Sequence, residues 1–187
     1  MGDFWQGVEF SHLLLETHIN KGDLVVDATA GNGYDTIFLA ELVGIDGKVY
    51  SFDIQKQAIE NTRKKVLDKG YEDRISLIED GHQNIGEYLK NEIKGIVFNL
   101  GYLPGADKDI ITKKNTTIKA LKKGIELLCV GGIIVLVIYT GHSGGQEELE
   151  AIKNFSLDLD NKKYNVLNYK FLNQKKSPQI LAIIRRR

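Results

Sequence analysis

Cysteine, methionine and tryptophan each occur once in this chain of 187 residues, and proline occurs twice. A lone cysteine excludes an internal disulfide framework. Cys129, within Leu127-Leu128-Cys129-Val130, reads as a small buried hydrophobe. An excess of either charge sign is also missing, since Lys plus Arg and Asp plus Glu both number 25. That balance excludes a whole-molecule attraction to nucleic acid, although folding can still sort charges by face. No apolar run reaches the roughly 20 residues that cross a bilayer. The first residues lack the basic-then-apolar order of a secretion signal. A cytoplasmic protein with no membrane partner is expected. No histidine pairs with a cysteine or second histidine at ligand spacing, so no metal is expected either. Repeats, low-complexity tracts and long linkers are absent, and the chain is expected to form one domain over 1–187.

What is present alternates. Short β-rich runs at 24–28, 48–53, 75–78, 95–99, 133–139, 164–171 and 179–184 read as strands. Segments 4–19, 34–43, 56–69, 84–90, 115–128 and 145–157 read as helices. Strands separated by helices imply βαβ units and a mostly parallel α/β sheet. The first five are apolar, as when helices cover both faces. The last two have no room for a helix between them and should pair as an antiparallel hairpin. This seven-stranded Rossmann-like layout resembles the class I methyltransferase fold.

The first strand ends at Asp27 and runs into Ala28-Thr29-Ala30-Gly31-Asn32-Gly33 before a helix begins. Gly31 and Gly33 let backbone pass close to a ligand, with Thr29 and Asn32 completing the loop. The third glycine of a dinucleotide loop is replaced by Thr36, and Asp27 would repel a pyrophosphate. S-adenosylmethionine carries no phosphate but does carry an amino group and a cationic sulfonium, which Asp27 would attract directly or through water. Asp53, at the tip of the second strand and followed by Gln55, suits two ribose hydroxyls. Asp80 and Gly81, beside His82, are placed for adenine after the third. The same acids also suit helix caps and solvated turns.

The fourth strand leads into Asn99-Leu100-Gly101-Tyr102, which resembles the Asn-Pro-Pro-Tyr loop of amine-directed nucleic-acid methyltransferases with Leu-Gly in place of Pro-Pro. The Asn99 side-chain carbonyl and the Leu100 backbone carbonyl are expected to accept from a substrate amine and aim its lone pair. Asn99 also borders the cofactor, and Tyr102 suits stacking on a base. The fifth strand enters Tyr139-Thr140-Gly141-His142. Either Tyr139 or His142 could take the released proton; a turn histidine capping the next helix is the alternative. Glu147 and Glu148 fit that helix's first turn. His12, on the first helix, is expected to face the site. Lys113, Lys114 and Lys175 are candidates for phosphate contacts.

Asp27–Gly33, 99–105 and 139–147 together resemble a small bacterial family labelled rRNA methylases, over nearly the whole chain. Members are tRNA wobble-uridine methyltransferases converting 5-aminomethyl-2-thiouridine to 5-methylaminomethyl-2-thiouridine. The resemblance implies S-adenosylmethionine as cofactor and the anticodon stem-loop of tRNA as substrate, with a homodimer left open. Near the final turn the family often shows Asn-x-Pro-Pro, where this chain has Lys176-Ser177-Pro178-Gln179. Methylation of another RNA base or a small-molecule amine, an NAD-dependent oxidoreductase and a non-catalytic binding module are the rival readings.

Overall fold

The computed structural model describes residues 6–101, 111–174 and 177–186. Seven strands form one sheet: β1 (Leu24–Asp27), β2 (Lys48–Asp53), β3 (Ile75–Glu79), β4 (Ile93–Leu100), β5 (Leu128–Ile138), β6 (Tyr164–Tyr169) and β7 (Gln179–Arg185). Their order across the sheet is β3-β2-β1-β4-β5-β7-β6. The first five are parallel, and β7 pairs antiparallel with both β5 and β6. This is the expected fold class. The terminal hairpin inserts its second strand into the sheet and leaves β6 at the edge.

Among the described residues, six α-helices flank the sheet: α1 (Gly7–Glu16), α2 (Tyr34–Val43), α3 (Lys56–Lys69), α4 (Ile85–Tyr88), α5 (Lys114–Leu127) and α6 (Gly145–Leu157). Alternation along the strands builds a core on each face. Val26, Ile96, Phe98, Ile134 and Leu136 pack with Leu121 and Leu149. Val25, Val97, Val135 and Val137 pack with Leu15, Leu39 and Val66.

Three expectations change. The chain passes from α5 to β5 without a turn, because Leu128 already pairs with Ile93, ahead of a register shift. Cys129 therefore lies on a strand at a half-buried position rather than inside the core, and partial burial raises its thiol pKa. The third strand is not covered on both faces: as an edge strand, β3 buries only Ile75 fully.

Strand order reverses between β1 and β4, the nearest neighbours at the centre. In open α/β sheets this switch point opens a crevice at the strands' carboxyl ends. Asp27, Asp53 and Asn99 all sit at that end.

Candidate active site

The glycine loop is sewn to its neighbours on both sides. Gly31 N–H donates to Asp53 Oδ2 at 2.9 Å, and Gly31 O accepts from Thr62 Oγ1 at 3.1 Å. Asn61 donates to Asn32 Oδ1 at 3.0 Å. Gly33 caps α2 at φ 81°, and a Cβ there would stand 2.9–3.0 Å from Thr62 on α3. Only glycine combines that backbone with so close a helix.

Asp27 is fully buried beneath this loop. Its Oδ1 accepts from Thr29 N at 3.1 Å, and its Oδ2 lies 2.6 Å from the Thr36 hydroxyl. Burial, then the negative charge of Asp35, pushes its pKa up to about 7, against the lowering effect of the Thr36 and Thr29 hydrogen bonds. The structure leaves Asp27 no open face, so any action on a ligand is by field rather than direct contact.

Asp53 is half-buried, and each carboxylate oxygen takes one backbone N–H, from Gly31 and from Gln55 at 2.9 Å. Desolvation raises its pKa despite those bonds. Each oxygen keeps lone-pair capacity toward the crevice, where a vicinal diol would fit. Asp80 accepts from Gly81 N at 2.7 Å, from Asn84 at 3.0 Å and from Tyr88 Oη at 3.0 Å. Slight desolvation raises its pKa, but those three bonds and nearby Lys119 outweigh it and hold the carboxyl below its ordinary range. His82 is buried, with Nδ1 3.1 Å from Ala28 O and its ring edge-on to Phe98. Desolvation lowers its pKa to about 4, so the ring is neutral near pH 7. The carbonyl takes the Nδ1 proton, which leaves a buried Nε2 lone pair without a partner among the described residues.

A second group forms where β4 and β5 end. Asn99 N donates to Thr29 Oγ1 at 2.7 Å, tying β4 to the glycine loop. Asn99 Nδ2 donates to Asp35 Oδ2 at 3.3 Å, and Asp35 Oδ1 meets His12 Nε2 at 2.7 Å. Asp35, an acid in the first turn of α2, is not among the residues the sequence singles out. The Leu100 carbonyl, expected as a second acceptor, already takes Tyr139 N–H at 3.3 Å, and the Gly101 carbonyl takes Thr112 N–H at 2.9 Å. Each of these carbonyls keeps one lone pair beside the Asn99 Oδ1 acceptor.

Tyr139 is 37% exposed, and its hydroxyl pKa is raised by burial and then by the charge of Asp35. His142 Nδ1 lies 3.0 Å from Ser143 O, so that nitrogen carries the proton. Nε2 is buried and has no hydrogen-bond partner among the described residues. A Cβ added to Gly101 would stand 4.0 Å from the His142 ring. Glu148, expected simply to favour the helix dipole, is buried and accepts from Thr112 and Thr117 at 2.8 and 2.6 Å. Lys113 and Lys114 are exposed at the start of α5. Tyr102 and Lys175 lie outside the described residues.

A parallel sheet reversed at β1/β4, a C-terminal antiparallel pair and acids at successive strand tips define the class I methyltransferase fold. The family described as "Putative rRNA methylase" matches residues 49–185. A solved structure of that designation from Clostridium thermocellum is 47% identical, with a TM-score of 0.94 over 98% of this chain and 99% of that chain. A Streptococcus mutans structure, designated a methyltransferase and in complex with SAH, is 38% identical, with a TM-score of 0.90 over 98% and 99%. The tRNA (mnm(5)s(2)U34)-methyltransferase of Arabidopsis thaliana chloroplasts is 38% identical over 97% of this chain and 70% of its own. The chain belongs to this rRNA methylase family.

Proposed function

We propose that the protein transfers a methyl group from S-adenosylmethionine to the exocyclic amine of 5-aminomethyl-2-thiouridine at the tRNA wobble position, reading the anticodon stem-loop. The Arabidopsis relative and the SAH-bound neighbour support this reading. The observation that carries it is Asn99, whose amide nitrogen is committed to Asp35 while, among the described residues, nothing donates to its Oδ1 at the tip of β4.

The residues present fit the cofactor. Asp53 offers one lone pair per oxygen for ribose hydroxyls, Asp80 and Gly81 border the adenine position, and Gly31 admits the ligand to the backbone. Thr29, Asn32 and Gln55 line the same loop and strand tip. S-adenosylmethionine supplies an electrophilic methyl group on a cationic sulfur. The chain does the rest by orientation. Asn99 Oδ1 accepts an N–H of the substrate and turns the nitrogen lone pair inward. His142 Nε2 takes the proton that the amine gives up. Tyr139 donates a hydrogen bond at the mouth, and Lys113 and Lys114 meet phosphates. We place this activity in the cytoplasm; among the described residues, no helix is long and apolar enough to cross a membrane.

Nucleoside mass spectrometry of tRNA from a strain lacking the protein tests the substrate. The methylated wobble nucleoside should disappear and its aminomethyl precursor accumulate; an unchanged profile would overturn the proposal. For the purified enzyme, Asn99→Ala should lower kcat by about 100-fold, the scale of a lost orienting contact, with SAH affinity nearly unchanged. Equal loss of both would remove Asn99 from the reacting centre. Turnover of a free aminomethyl nucleoside as fast as tRNA would point to a small-molecule amine methyltransferase instead.

A further inference from the structure

We infer that Asp35 is a positioning residue which, braced by His12, decides which end of the Asn99 amide faces the substrate nitrogen. This rests on the reading of Asn99 given above. An asparagine amide has a donor end and an acceptor end of nearly equal size, and only its surroundings choose between them. An ionised carboxylate accepts and never donates. With Asp35 Oδ2 at 3.3 Å, Asn99 must turn Nδ2 toward it and Oδ1 away.

Asp35 is itself held. Its other oxygen takes the Nε2 proton of His12 at 2.7 Å. The His12 ring lies flat on Phe38, with centroids 3.7 Å apart and an interplanar angle of 5°. Phe38 stands one turn beyond Asp35 on α2, so the ring that holds the carboxylate is itself seated on α2. At 7% exposure, Asp35 meets little competing water. The clamp therefore joins α1, α2 and β4 through two hydrogen bonds and one ring stack.

The consequence is selectivity for the nucleophile. A fixed carbonyl oxygen favours a nucleophile that bears N–H and repels one presenting only lone pairs, such as a carboxylate. Without Asp35 the amide is free to rotate, and half its orientations offer an N–H where the substrate needs an acceptor.

A double-mutant cycle separates positioning from a general structural effect. Asp35→Ala should lower kcat by about 100-fold, matching Asn99→Ala, and should cost nothing further when added to Asn99→Ala. SAH affinity should stay within about threefold. In the free protein, the Asn99 side-chain amide should show one hydrogen-bonded proton shifted downfield by NMR, lost in Asp35→Ala. Multiplying effects in the cycle, or amide signals unchanged by Asp35→Ala, would overturn the proposal. The NMR measurement needs no substrate, so it stands even if tRNA proves to be the wrong acceptor. Should Asp35→Ala fail to fold, His12 carries the test. His12→Gln retains a donor for Asp35 and should keep most activity, whereas His12→Phe should not; equal behaviour of these two variants would also overturn it.

Discussion

Asp27 and Asp35 put two carboxyl groups into one small interior region, and the first answers by holding its proton. Its folded pKa of about 7 lies above the ordinary carboxylate value of 3.8. As pH rises between those values, the unfolded chain ionises first, so stability falls with rising pH and levels off above about 7. The slope is about 1.4 kcal/mol per pH unit for one proton. Asp27→Asn keeps one acceptor for Thr29 and gains a donor for Thr36, mimicking the protonated acid. Urea denaturation across pH 4 to 8 should show a flatter profile for that variant. At this scale the sequence placed Asp53 and Asn99 near strand ends, where the structure has them. Asp35 was hidden because its partners come from α1 and β4, and no local pattern announces a contact between side chains 23 and 64 positions apart.

The α2 helix enters the site through Gly33, which has a left-handed backbone and leaves an added Cβ only 2.9 Å from Thr62. Gly33→Ala has neither the conformation nor the space. It should cost about 1–3 kcal/mol of stability and weaken SAH binding, read by urea midpoint and calorimetry. Helices α2, α3 and α6 start and stop where the sequence placed them, because glycines and periodic apolar positions mark their ends. The α5–β5 junction was illegible for a physical reason. Leu127, Leu128, Cys129 and Val130 continue an apolar run with no turn residue. Only pairing of Leu128 with Ile93 converts it to strand.

For the whole molecule, a net charge of zero conceals an uneven surface. Lys114, Lys119 and Lys122 line one groove along α5, closed by Ala151 of α6. If this ridge follows the RNA backbone, Lys119→Ala with Lys122→Ala should raise the KM for tRNA and leave kcat intact. The logarithmic salt dependence should drop by roughly 0.7–0.9 per lost phosphate contact. An unchanged slope would put the RNA on another face. The strand and helix order was readable as far as a doubly wound sheet; which helix faces carry uncompensated charge emerges only on folding. Finally, the bond from Asn99 N to Thr29 Oγ1 closes a span of 70 residues. The ligand cleft is thus complete only where β4 is docked on β1. Cofactor binding should then stabilise only the finished protein, raising the thermal midpoint steadily with cofactor concentration and rescuing no intermediate on the way.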